Sequence, residues 1–399
     1  MNNLLANEKT ILSVKDTDQV IFTEEKSLME FLNSVKKNTE VRNVPLNLLC
    51  PKGAEFELLL DMSDFSRARV GALDVPDIND KAVMSCLEDH ESQLFVTIPG
   101  ANKWHWVPLR GISYESLLER AELSCKALKR TADSARWFAV PAKERGEVID
   151  LFLQSSKPAG GKGVSGPRTC KCVVVNRKVN YFGSASYAYV ADCDAYSTTK
   201  KILGKEFPKV ALEKGWWSYE ITTLDLRMND SIRDDSLLET LNNAEEKYSS
   251  AFYGVRVINS LNGKSALKAI PYVSIDGKKI AIDTGCKAKA IHMGSSAILE
   301  RFQDSLEELS EKAFEEIDEI IEGLGNVEIK DVSFVVSQMA DHIPELHGIQ
   351  SAIKHGTAID CLLEAVKDQA EELVTARYLL YLDYQKIEEG SFDWSSFKK

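Results

Sequence analysis

Between residues 252 and 301 the chain reads FYGVRVINSLNGKSALKAIPYVSIDGKKIAIDTGCKAKAIHMGSSAILER, and no other stretch restricts the fold as much. Residues 252–258 read as a strand. Asn262-Gly263 and Asp276-Gly277 are dipeptides whose residues tolerate positive φ, as tight hairpin turns require. With residues 265–275 and 279–282 as the returning strands, the spacing predicts an antiparallel β-meander.

The periodicity changes after residue 301. Phe302, Leu306, Leu309, Ala313, Ile317, Ile320 and Leu324 follow 4-3-4-4-3-4 spacing, one face of a long amphipathic helix that Gly323 and Gly325 suit to end. Residues 302–322 carry nine acidic side chains against one lysine, either a solvated helix face or an acidic interaction surface. The fold class expected is therefore α+β, an antiparallel β-meander core with long amphipathic helices packed on it.

Around this centre the signals are weaker. Residues 24–37 suit a first helix with Leu28, Phe31, Leu32 and Val35 inward. Residues 55–60 and 93–98 read as strands, and 104–108 as an aromatic strand end that includes His105. Ser113 can cap a helix running through Leu117, Leu118, Ala121, Leu123 and Leu128. Residues 157–167 (KPAGGKGVSGP) form a loop; Gly163 follows Gly161-Lys162, so the hydroxyl of a phosphate-cradling loop is missing. Residues 171–179 and 186–191 are short strand candidates, and 349–387 is largely helical by pattern. The tail, 391–399, holds Phe392, Trp394 and Phe397, suited to dock on the body or on a partner. The expected organisation is an α+β region over 1–110, a helical connector over 111–156, the meander domain over 157–330 and a helical region with tail over 331–399.

Composition sets limits. Across 399 residues, 44% hydrophobic and 28% charged, no apolar run approaches the roughly 20 residues of a membrane helix. The first residues lack a signal peptide's basic start and apolar core, so a cytoplasmic protein with no membrane partner is expected. Eight scattered cysteines should be thiols there; Cys170 and Cys172, alternate residues of a strand, suit burial on one face better than zinc. The net charge of −12 argues against a coat of nucleic acid throughout, yet the charge is segregated. Residues 162–214 hold ten basic and four acidic side chains, and 264–301 hold seven and three.

Candidate sites lie in these basic stretches. Lys200, Lys201, Lys205 and Lys209 precede Trp216, Trp217 and Tyr219, the combination single-strand binders use to neutralise phosphates and stack bases. The competing reading makes the tryptophans core and the lysines a solvated helix face. Asn259-Ser260-Leu261-Asn262-Gly263-Lys264-Ser265 gathers amides, hydroxyls and an ammonium, which either bind phosphates, sugars and base edges or satisfy turn backbone. Cys286 and His292 form a nucleophile–base pair only if the backbone folds them together. His342 and His347, near Asp341 and Glu345, have no standard metal spacing; no metal or cofactor is expected.

The same polar turn resembles the phage- and plasmid-borne family known as the domain of unknown function 932 family. That family tends to show an Asn-Ser-His-Asp-Gly-Ser-Ser-like turn, a Cys-Asn pair, a His and a Glu-Arg element opening a long helix. Here residues 259–265, Cys286, His292 and Glu300-Arg301 stand at those positions. Trp106-Val107-Pro108-Leu109 with Tyr114 is similar to its Tyr-x-Pro-Leu element, and His355-Gly356-Thr357-Ala358 with Leu363-Glu364-Ala365-Val366 to its closing helix. Leu261, Lys287 and Glu364 replace a histidine and two asparagines of the pattern, which weakens a catalytic role more than a binding one.

The resemblance implies mobile-element DNA metabolism. With the basic, aromatic middle it suggests binding of single-stranded nucleic acid, extending to strand annealing. Lys162, Arg168, Lys171, Lys264, Lys287, Lys289 and Arg301 are the phosphate candidates, Asn259 and Asn262 further contacts, and Trp216 and Trp217 the stacking candidates. The acidic helix would face away or mediate homo-oligomer assembly. An enzyme acting on nucleic acid or nucleotide through Cys286, His292 and Asn259 is the alternative, and a host-protein ligand acting through the acidic helix or tail is a third.

Overall fold

The computed structural model describes residues 2–5, 11, 14–55, 69–70, 73–74, 94–99, 104–130, 139–155, 168–242, 247–282, 288–294, 297–343, 346, 353–369, 371–376 and 379–397. The chain opens with β1 (Asn2–Leu5), β2 (Asp18–Phe22), α1 (Glu25–Lys37) and β3 (Thr39–Pro45). Next come β4 (Lys52–Glu55), β5 (Arg69–Val70), β6 (Leu73–Asp74), β7 (Leu94–Pro99), β8 (Trp104–Pro108), α2 (Gly111–Arg120), α3 (Lys126–Lys129) and α4 (Ala142–Ser155). The middle holds β9 (Thr169–Val175), β10 (Lys178–Ser184), α5 (Asp192–Glu206), β11 (Ala211–Trp217), β12 (Ile221–Arg227) and α6 (Ser231–Asn242). It continues with β13 (Ala251–Ser260), β14 (Leu267–Ile275), β15 (Lys278–Ala281), β16 (Ala288–Ala290) and α7 (Ile298–Asn326). Last are β17 (Glu328–Ile329), α8 (Val332–His342), β18 (Gly356–Thr357), α9 (Ala358–Ala365), β19 (Leu373–Thr375) and α10 (Tyr381–Glu388).

The expected meander is the centre of a nine-stranded sheet ordered β1-β2-β11-β12-β13-β14-β15-β19, with β16 on the other half of β14. Every pair from β2 to β15 is antiparallel. One face carries the long helices: α7 buries Phe302, Leu306, Leu309, Ala313, Ile317 and Leu324, while Ile321 takes the buried place beside a half-buried Ile320. Together with α1 and α5 it closes one large core over Val255 and Val257 of β13. A second core, with Val44, Val96, Leu117, Cys170, Cys172 and Phe182, fills the space around β3, β7, α2, β9 and β10. Residues 1–110 contribute to both cores. Cys170 and Cys172 are buried thiols, and burial pushes Cys170 up to about 12.

Turn chemistry explains where the elements begin and end. Asp276 and Gly277 both adopt positive φ, 47° and 79°, and join β14 to β15 as a two-residue turn. The Asn262-Gly263 turn is different: residues 261–266 separate the strands and only Gly263 is left-handed, at 69°. Asn262 Oδ1 instead accepts from the Ser260 hydroxyl and the Lys264 N–H, an Asx-type turn. The ring of Tyr181 lies where a Cβ at Gly263 would stand, so glycine is required there twice over.

Other expectations are corrected. Residues 171–179 are not one strand, because Asn176 and Arg177 turn at φ 49° and 65° to make the β9–β10 hairpin. Residues 186–191 form no strand; only Tyr187 makes a bridge, to Met293. Ser113 caps nothing, since α2 starts at Gly111 and the Ser113 hydroxyl donates to Arg110 O. Glu122, at φ 59°, leaves Leu123 and Leu128 beyond that helix. Over 349–387 only α9 and α10 are helical among the described residues, because β18 and β19 pair with β17 and β15. Of residues 55–60, Glu55 ends β4 and the rest lie outside the described residues.

The tail docks on its own chain: Phe392, Trp394 and Phe397 pack against the main core, and Trp394 stacks on His342 at 4.1 Å. His347 and Glu345 lie outside the described residues, among which no group of three metal-ligating side chains forms. No described helix is long and apolar enough to cross a membrane.

Gly254 of β13 is a close-approach glycine, because a Cβ there would lie 2.2 Å from the Tyr272 ring that crosses it. Gly254→Ala is therefore expected to destabilise by about 1–3 kcal/mol, the cost of overpacking a buried ring. Urea unfolding checks it: the midpoint falls and the m-value stays unchanged.

Candidate functional site

Directly opposed residues of neighbouring antiparallel strands share a face. On the face away from the helices the register aligns Ile21, Trp216, Thr223, Ile258, Lys268 and Lys289, one residue from each of six adjacent strands. At ~4.8 Å per strand the row is ~24 Å long. All but Lys289 are half-buried, and Lys289 is exposed. Lys268 and Lys289 are cross-strand neighbours of like charge at its end.

A second row runs Lys214, Asp225, Arg256, Ile270. Asp225, fully buried, accepts from Arg256 Nε at 2.6 Å and Nη2 at 2.7 Å, and from Lys279 Nζ at 2.6 Å. Lys279 also pairs with Glu213 at 3.0 Å, and Glu213 accepts from the Tyr272 hydroxyl at 2.7 Å. Burial works against the Arg256 charge, but Asp225 outweighs it and holds the guanidinium above its ordinary range. Lys214 pairs with Glu371. The Trp216 ring lies among these cations, with Lys214 Nζ at 5.1 Å, Arg256 at 5.6 Å and Lys279 at 5.9 Å from its centroid. All three are within cation–π range.

The polar residues of the 259–265 stretch gather at the sheet end instead. Asp192, the first residue of α5, accepts from Asn259 Nδ2 at 2.7 Å, Thr222 Oγ1 at 2.8 Å and Trp217 Nε1 at 3.3 Å. Burial pushes this carboxyl above its ordinary value, and those hydrogen bonds pull it back. Asn259 also donates to Val190 O. His292 Nδ1 is 3.0 Å from Ala188 O, which can only accept, so the proton sits on Nδ1 and Nε2 is a bare acceptor. The imidazole stacks on Tyr187 at 5.7 Å, and Tyr187 meets Tyr181 at 5.1 Å. Among the buried polar atoms here that have no protein partner are Asn259 Oδ1, Asn262 Nδ2, Tyr187 Oη and His292 Nε2.

The residues expected from sequence are thus dispersed. Trp217 is fully buried with its indole N–H on Asp192, so it is core and not a stacking platform; Trp216, next to it, points to the other face. Asn259 and Asn262 are buried and bonded within the protein, which removes them as contacts for an outside phosphate. Arg168 is exposed and paired with Glu122, and Lys171 is half-buried on β9 beside the smaller core. Lys264 is exposed, 3.3 Å from Glu220, and Arg301 donates to Met293 O, just past β16. Lys162, Cys286 and Lys287 lie outside the described residues. Sequence reasoning missed Lys268, Asp225, Arg256 and Lys279; for Lys268 the strand alternation around it was the available signal.

No family model, curated protein or solved structure matches this chain.

Burial makes His292 more acidic in the folded protein than in the unfolded chain, where imidazole titrates near 6.5. Below that value the unfolded chain takes up a proton that the native state resists. Stability therefore falls as pH drops from 6.5 toward the lowered native value. His292→Gln is expected to flatten that part of the curve, whatever its effect at neutral pH. Urea midpoints of both proteins at pH 7 and in half-unit steps below it provide the check.

Proposed function

We propose that this protein binds single-stranded nucleic acid along the row of residues on the face of its main sheet away from the long helices, in the cytoplasm, and that strand annealing is the activity built on that binding. The row from Ile21 to Lys289 carries the proposal, since one continuous path, half-buried as far as Lys268 and exposed at Lys289, joins an aromatic ring, aliphatic side chains and two lysines. Trp216 offers a π-face for a base, and Lys268 and Lys289, directly opposed on β14 and β16, place two cations where a phosphate can lie. Lys264 and Arg301 stand at the same end of the sheet. Arg256 and Lys279 are neutralised by Asp225 and Glu213; their part is to fix the Trp216 ring, not to hold phosphate. The likeness of residues 259–265 and His292 to the domain of unknown function 932 family, borne by phages and plasmids, supports the same direction.

A second reading, an enzyme acting on nucleic acid or nucleotide, is favoured by one observation: His292 is held through Nδ1 and leaves Nε2 as a bare acceptor for a substrate donor. It predicts turnover that His292→Ala abolishes while nucleic-acid binding is kept.

Fluorescence anisotropy of a labelled single-stranded oligonucleotide at several salt concentrations tests the first reading. Trp216→Ala is expected to weaken binding by about 1–3 kcal/mol, the value of one base stacked on an aromatic ring. Lys268→Ala with Lys289→Ala should lower the slope of log K against log salt by about 1.4, two single-strand phosphate contacts. No binding at low salt, or binding indifferent to Trp216, overturns it.

A further inference from the structure

On the helix side of the sheet a cavity of about 200 Å³ opens between α6 and α7, away from the row and the polar cluster. Its α6 wall carries Arg233. The Arg233 Nε is 3.9 Å from Asp230, the outer limit of an ion pair, and the guanidinium lies 5.7 Å over the Phe207 ring. Its α7 wall carries Asp318 and, one turn on, Glu322. Residues four apart on a helix point the same way.

The charges of the two walls face one space without meeting. Asp318 Oδ1 accepts from the Tyr253 hydroxyl, and no further hydrogen bond or ion pair to Asp318 or Glu322 exists among the described residues. No ion pair joins either carboxylate to Arg233, although the guanidinium's field still reaches Asp318. Burial, the larger influence, pushes the Asp318 carboxyl above its ordinary value. Between the walls lie the buried side chains of Leu237 and Ile321. A cation on one side, two carboxylates on the other and an apolar floor make a bipolar cavity.

We propose that this cavity binds a free α-amino acid with a small aliphatic side chain. Its carboxylate pairs with Arg233, for which the planar guanidinium is suited. Its ammonium sits between Asp318 and Glu322, and its side chain packs in the cavity against Leu237 and Ile321. The volume is below the about 300–1,000 Å³ of pockets for drug-sized ligands and fits a molecule of few heavy atoms. The ammonium supplies what Asp318 lacks, a donor for its second oxygen and a counter-charge for a half-buried carboxylate.

Isothermal titration of the full chain with L-alanine and L-valine, against ethylamine and propionate as half-ligands, decides the matter. The amino acids should bind with Kd in the millimolar range or tighter, and each half-ligand about tenfold or more weaker. Loss of one charge-assisted hydrogen-bonded contact has that size. Arg233→Gln and Asp318→Asn should each weaken the amino acids by about tenfold, whereas Ile232→Ser, at an 81% exposed neighbour, should not. Asp318→Asn keeps an acceptor for Tyr253, and an unchanged thermal midpoint separates lost binding from lost folding. No heat with either amino acid, half-ligands that bind equally well, or variants without effect would overturn the proposal. None of these outcomes bears on nucleic-acid binding at the opposite face.

Discussion

Asp225 has no solvent around it and two cations on it, and the main sheet is organised about that fact. Arg256 and Lys279 reach it from β13 and β15, and Lys279 brings in Glu213 of β11, which also takes the Tyr272 hydroxyl of β14. Five consecutive strands of the sheet thus each contribute one group to a single charged network. A buried ion pair is weak evidence for net stability, because desolvation offsets most of the attraction; breaking one, however, costs about 3–5 kcal/mol. What the network supplies is register. A one-residue slip of β12 would send Asp225 into the apolar core and bring Leu224 and Leu226 out, a change no neighbouring strand could accommodate.

Register, in turn, separates the two faces. Tyr253, Val255 and Val257 go to the helices, and Arg256 and Ile258 go to the other side. Because α7 lies on the helix side, its acidic outer surface and the lysines of the row are on opposite sides of the sheet. Some of that acid is consumed locally, as where Lys205 of α5 pairs with Glu307. A net charge of −12 and a locally basic sheet edge therefore coexist without contradiction.

The parts legible in sequence are those fixed by neighbours along the chain. Asp276-Gly277 announced its turn because both residues accept positive φ, and 302–324 announced its helix because burial repeats every three or four residues. Asn176-Arg177 turns just as tightly, yet arginine carries no such signal; the turn is tied instead to a distant residue, with Asn176 N–H donating to Asn38 O beside the β3–β9 pair. Asp225 meets Arg256 and Lys279 at separations of 31 and 54 residues, and no local pattern reports that. Trp216 and Trp217 make the same point at a separation of one. Adjacent strand residues take opposite faces, so one of the two had to be core, but only the register with β2 and β12 says which.

The polar residues between 259 and 292 looked placed in the sequence, and they are, for a reason the sequence could not express. Asn259 and Thr222 hold Asp192 at the first turn of α5, where the helix dipole favours a carboxylate even as burial opposes its charge. His292 and Ala188 exchange two hydrogen bonds, one through the ring and one through the backbone, and Gly294 donates to Ser186 O. Segment 184–192 is in this way fastened to the ends of β12 and β13 and to the residues just past β16, so the route from the small sheet into α5 is fixed by groups far apart in the chain. A joint of this kind needs amides, hydroxyls and an imidazole for the same hydrogen-bonding capacity that makes them attractive as ligands. Residue type alone therefore cannot separate fastening from binding here. Buried atoms of the joint such as Asn259 Oδ1 and His292 Nε2 have no protein partner, so fastening does not account for every polar group that the joint holds.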